Sequence, residues 1–177
     1  MKIVMTTCLL MLSIAVYAQK AKKSREEKPK LEMDSVSGKY VFRRVVELDS
    51  TLDVGAMFDR VLQWVPRAYR DANTVIQYQD RALGKIIVKG YVRDFGDDYW
   101  HTVIIECRPG RMRYTFTDFT YLDTTLFGPF RPIEVPAESK GMFQKMRREG
   151  YAADSQKFGK QLEDSIHSTA AHDSDKW

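Results

Sequence analysis

The sequence predicts an α+β domain: an antiparallel sheet of about five strands with helices on one face, in the order β-α-β-β-β-β-α. Residues 54–65 repeat their apolar side chains with the period of a helix. Four stretches between residues 74 and 121 are rich in Val, Ile, Thr and aromatics and are separated by turn residues. A second helical pattern follows near the C-terminus. An antiparallel sheet with helices on one side buries all of these apolar faces at once.

Residues 1–18 read as a secretory signal peptide. Lys2 gives a positive start, Ile3 to Val16 is an almost unbroken apolar run, and Val16-Tyr17-Ala18 forms a cleavage site ahead of Gln19. The run is too short to span a bilayer comfortably, which takes about 20 residues. Cys8 lies inside the run rather than at its end, so lipidation is rejected. The expected product is exported, periplasmic or secreted. It keeps one cysteine, Cys107, so no intramolecular disulfide can form and a packed core must hold the fold. The formal charge of +4 falls to +3 once Lys2 is removed. Such a mild excess does not make the basic stripe of a nucleic-acid binder, and no nucleic-acid partner is expected.

Residues 19–38 form a basic linker expected to be disordered. Lys20, Lys22, Lys23, Arg25, Lys28 and Lys30 are interleaved with Glu26, Glu27, Glu32 and Asp34, and large apolar residues are scarce. It reads as a solvated tether that touches a membrane at most peripherally. Residues 39–122 are the ordered domain. Tyr40 to Leu48 reads as a strand. Ser50 and Asp53 resemble a capping box, and Val54, Met57, Phe58, Val61, Leu62 and Val65 then share one helical face. Pro66 should end or kink that helix, because proline lacks an amide donor. After a turn at Asp71-Ala72-Asn73 come strands at Thr74–Gln79, Lys85–Phe95, Tyr99–Arg108 and Arg111–Tyr121.

If Pro109-Gly110 is a two-residue hairpin loop, the register of the last two strands follows. Cys107 opposes Met112, Ile105 Tyr114, Val103 Phe116 and His101 Asp118 on an apolar face. Glu106 opposes Arg113, Thr102 Thr117 and Trp100 Phe119 on the other. A one-residue slip would place one strand's side chains on the wrong face. Residues 123–166 comprise an irregular connection to about Pro136 and C-terminal helices. The first of these, Ala137–Arg148, turns Phe143 and Met146 inward. The second, Asp154–Ile166, buries Phe158, Leu162 and Ile166. Residues 167–177 are a polar tail expected to be disordered.

Val75-Ile76-Gln77-Tyr78-Gln79-Asp80 followed by Gly84-Lys85-Ile86-Ile87-Val88-Lys89-Gly90 resembles a domain family of unknown function with a TBP-like fold, found in exported bacterial proteins. The resemblance covers roughly Tyr40 to Tyr121. It implies the β-α-β-β-β-β-α fold but no activity, and likeness to TBP implies no DNA binding.

No residue pattern carries catalysis or metal chemistry, and no cofactor motif occurs. His101 opposite Asp118 is the nearest approach to a catalytic pair, but no activated nucleophile accompanies it. Cys107 faces the apolar side and reads as core. Asp94, Asp97 and Asp98 read as a turn, and His167, His172, Asp173 and Asp175 as a solvated tail. The candidate binding surface is an aromatic patch of Tyr78, Tyr91, Trp100 and Phe119 on the sheet face away from the helices. The expected function is a non-enzymatic binding or adaptor module for an envelope protein or small ligand. The alternatives are a carrier holding a lipid-like molecule in a cavity lined by Met57, Val61 and Ile105, and a hydrolase using His101 and Asp118.

Overall fold

The structure is a computed structural model that describes residues 28–69, 72–93, 98–122, 130–135 and 141–168. Its elements are β1 (Glu32–Met33), β2 (Tyr40–Glu47), α1 (Val54–Ala68), α2 (Ala72–Val75), β3 (Ile76–Asp80), β4 (Lys85–Arg93), β5 (Asp98–Arg108), β6 (Arg111–Leu122), β7 (Phe130–Pro132) and α3 (Gly141–Ser168). The sheet runs β1-β2-β6-β5-β4-β3, every pairing antiparallel, with β7 added to β6 beyond the end of β2. The predicted fold class and element order hold. The strand number is larger because two short strands, β1 and β7, add to the sheet's β2 side.

Each main element has a local cause. Asp53, rather than Ser50, caps α1: its carboxylate accepts from the amides of Gly55 and Ala56 at 2.8 and 3.2 Å. Met57, Phe58, Val61, Trp64 and Val65 make its buried face. The helix runs only two residues past Pro66, to Ala68, and is capped where the Tyr69 amide donates to the Val65 carbonyl. The β5–β6 hairpin turns at Pro109-Gly110 with Gly110 at φ 71°, and the predicted register holds from Arg108↔Arg111 to Thr102↔Thr117. Glu106 and Arg113 meet as expected, with Arg113 Nε donating at 2.8 Å.

Beyond Thr102 the register shifts. Trp100 pairs with Thr120, so Asp118 and Phe119 together stand opposite His101. Asp118 takes a positive φ of 54°, which Asp tolerates better than most residues. This bulge turns β6 over by one position. Met112, Tyr114 and Phe116 face the core before it, Phe119 and Tyr121 after it.

Both long helices cover one face of the sheet. Tyr151, Ala152, Ser155, Gly159, Leu162 and Ile166 bury one side of α3. Two tyrosines from the sheet hold it: Tyr99 donates to Asp154 at 2.8 Å and Tyr114 to Glu163 at 2.7 Å. Arg60 of α1 donates to the Ile166 carbonyl at 2.7 Å, satisfying an acceptor of the last turn. Gly159 permits the close approach of Tyr114, since a Cβ there would lie 2.4 Å from the tyrosine oxygen.

Three further expectations are corrected. The C-terminal helices are one continuous helix from Gly141, and Phe143 and Met146 are exposed because they lie opposite its buried side. Residues 28–38 are not wholly a linker: Glu32–Met33 pairs with Tyr40–Val41, and the Asp34 carboxylate holds the turn between them by accepting from Ser37. The connection after β6 is not wholly irregular either, since β7 pairs with β6 and Ile133 is buried. The signal peptide, residues 19–27 and residues 169–177 lie outside the described residues. Among the described residues no helix is long and apolar enough to cross a membrane.

Candidate functional site: a cleft at the unpaired end of β4

Strand β3 pairs with β4 only from Lys85 to Val88, with a register shift around Gln77. Lys89 to Arg93 of β4 continues past it, paired on its other side with β5. On the open side of this segment, Ala68, Tyr69, Thr74, Val75 and Gln77 border a cleft of about 650 Å³. Because the cleft straddles the sheet edge, it draws on both faces. Tyr91 and Trp100 come from the helix-free face, and Tyr69, Val92 and Phe158 from the helix side.

Tyr69 forms its inner wall. The ring stacks on Phe158 at a centroid distance of 5.7 Å and 6° between planes, and meets Trp64 edge-on at 5.9 Å. It lies across β4 at Gly90, where a Cβ would come within 2.1 Å of Tyr69 Cε1. Behind it is His101, whose Nε2 is hydrogen bonded to the Tyr69 hydroxyl at 2.8 Å. The rings of Tyr69, Tyr99, Phe116, Phe119 and Phe158 surround the imidazole. Burial favours its neutral form and pushes its pKa down to about 3. Burial also holds the Tyr69 hydroxyl protonated well above the usual tyrosine range. Nδ1 of His101 has no partner among the described residues.

At the outer wall Tyr91 and Trp100 pack at 5.0 Å, with Phe130 edge-on to Trp100 at 6.3 Å. The Tyr91 hydroxyl donates to Asp98. Among the described residues, Lys89, Arg93 and Lys157 supply positive charge to the cleft, and Asp154 the one carboxylate.

Of the four residues predicted to form a surface, the structure therefore brings two together, Tyr91 and Trp100. Tyr78 is exposed on the same sheet face, opposite Ile87, but does not line the cleft. Phe119 is a correction: the bulge carries it to the helix side, where it is fully buried. The bulge also dissolves the His101–Asp118 pair, since Asp118 bonds the exposed Lys39 instead. Cys107 is core as expected, and burial pushes its thiol up to about 11. Met57, Val61 and Ile105 are fully buried in the core and do not line the described cavities. Asp94, Asp97, His172, Asp173 and Asp175 lie outside the described residues, and no cluster of metal-ligating side chains occurs among those described.

Sequence reasoning missed Tyr69, Asp154, Lys157 and Phe158. One signal was available: an isolated glycine inside a strand, here Gly90, marks a close approach by another group.

The sequence profile of DUF4468, a domain of unknown function with TBP-like fold, matches residues 42–122. Two crystal structures are similar to the whole fold. One is a TBP-like protein from Parabacteroides distasonis ATCC 8503, with a TM-score of 0.59 and 14% identity over 76% of this chain and 96% of that one. The other is a DUF4468 family protein from Bacteroides ovatus ATCC 8483, with a TM-score of 0.58 and 16% identity over 82% of this chain and 96% of that one. At such identities the likeness is one of fold. No curated protein matches the chain.

Proposed function

We propose that the protein, whose residues 42–122 match the profile of the DUF4468 family with a TBP-like fold, is a non-enzymatic binding module of the cell envelope. Its binding site is the cleft at the end of β4. The observation that carries this reading is the cleft's size and lining: about 650 Å³, walled by Tyr69, Tyr91, Trp100 and Phe158. Small-molecule sites commonly occupy about 300–1,000 Å³, with aromatic walls and a few polar groups. The commitments of the reactive side chains support a binding role over a hydrolytic one. His101 is enclosed and bonded to Tyr69, Asp118 is bonded to Lys39, and Cys107 is held as a buried thiol.

Export rests on the sequence of residues 1–18, with release as the mature chain beginning at Gln19. Cell fractionation with N-terminal sequencing tests it, and an unprocessed chain in the cytoplasm overturns it. The binding reading is tested by native mass spectrometry of the protein purified from its own envelope. A bound species retained by wild type and by Tyr78→Ala, but lost from Trp100→Ala, is the expected result. A species retained equally by Trp100→Ala places binding elsewhere and overturns the assignment of the cleft.

A further inference from the structure

Taking the cleft as a binding site, we propose that its ligand is a small amphiphilic anion: one carboxylate, sulfonate or comparable group on a flat apolar body. Two features set this class. The apolar walls come from three separate elements, with Tyr69 after α1, Tyr91 and Val92 on β4, and Phe158 on α3; Trp100 of β5 adds a fourth side. A ligand contacting all of them needs a ring-sized hydrophobic body.

The second feature is charge. Among the described residues, Lys89 and Arg93 on β4 and Lys157 on α3 line the cleft, against the single carboxylate of Asp154. That carboxylate already accepts the Tyr99 hydroxyl at 2.8 Å. Arg93 is engaged by Tyr91 and lies 3.8 Å from Asp98. Lys89 and Lys157 make no hydrogen bond or ion pair among the described residues. Two ammonium groups from opposite walls are therefore left facing an aromatic cleft. A cation would meet net positive charge there. A neutral molecule would leave both ammonium groups unused. An anion with an apolar body satisfies both parts of the lining.

Two dyes that differ only in the charged group make the test: 8-anilinonaphthalene-1-sulfonate and its uncharged analogue N-phenyl-1-naphthylamine. Both are titrated by fluorescence into folded full-length mature protein, its native state verified by a cooperative thermal transition. The sulfonate is expected to bind at least tenfold more tightly than the analogue. Trp100→Ala should weaken both. The double variant K89E/K157E should weaken the sulfonate about tenfold while leaving the analogue within twofold, because these side chains are exposed and contribute charge rather than wall.

Equal affinity for the two dyes, with both dependent on Trp100, overturns the anionic class while leaving the cleft as a binding site. So does sulfonate binding that the charge reversals do not change. Absence of binding by either dye, or binding indifferent to Trp100→Ala, overturns the anion and the site together.

Discussion

Gly90→Ala places one methyl group where Tyr69 crosses β4, 2.1 Å from Cε1 and 2.8 Å from Cδ1 and Cζ. The ring cannot step aside freely, because Phe158 is stacked on it at 5.7 Å and Trp64 meets it at 5.9 Å. If β4 moves outward instead, the overpacking costs about 1–3 kcal/mol. If Tyr69 leaves its slot, the buried His101 loses its hydrogen-bond partner, at a similar cost of about 1–3 kcal/mol. Replacing a strand glycine by alanine returns about 0.5–1 kcal/mol of backbone entropy. The net expectation by either route is a loss of about 1 kcal/mol, at most about 2.5, a noticeable part of the roughly 5–15 kcal/mol that holds a domain together. Urea unfolding should show a midpoint lowered by about 0.5–1 M at ordinary slopes. In a Tyr69→Ala background the same substitution should cost almost nothing, since the obstructing ring is gone. A wild-type midpoint for Gly90→Ala, or an equal cost with and without the Tyr69 ring, would refute the assignment of Gly90 as a clearance for Tyr69.

Two other expectations concern titration and reactivity. His101 is held neutral with a pKa near 3, against 6.5 when unfolded, so the unfolded chain alone takes up its proton between those values. Its contribution is complete above pH 6.5 and drains away as pH falls toward 3. Stability should drop by about 2 kcal/mol from pH 7 to pH 5 in wild type, and by much less in His101→Phe; equal pH slopes for the two proteins would count against a buried neutral imidazole. The Cys107 thiol, buried and raised to about 11, should resist a thiol reagent at pH 8 in the native protein and react at once in urea. Fast native labelling would contradict its place in the core.

The main pattern was legible because binary alternation and helical period are local. Val54 to Val65 read correctly as a buried helical face, and the β5–β6 register was correct from the turn as far as Thr102. The failure at the next residue carried a trace. Apolar positions in β6 run 112, 114, 116 and then 119, 121, a change of parity that only an extra residue explains. Reading Phe119 by simple alternation put it on the wrong face and created a His101–Asp118 pair that the bulge removes. The long final helix was misread because Met142, Phe143 and Met146 are apolar yet lie on its outward side. Half of the cleft was beyond local pattern altogether. Tyr69 and Phe158 are 89 positions apart in the chain, and only the packing of α1 and α3 on the same sheet face brings their rings together.

Strand β6 serves two neighbours along one edge, β2 beside its first half and β7 beside its last three residues. The partners on its other edge are local, joined through short hairpins from β3 to β6. Phe42 and Phe116, in contrast, are separated by a chain segment that includes every intervening element. Closing so long a loop is entropically unfavourable until the meander exists to receive it. The order of assembly is thereby set: the hairpins gather first, and the N-terminal strand docks afterwards onto a ready template. Pulse-labelled amide exchange during refolding should protect Val103 and Ile105 ahead of the β2 residues Phe42–Glu47 that pair with β6, and simultaneous protection would show that the fold closes in one step.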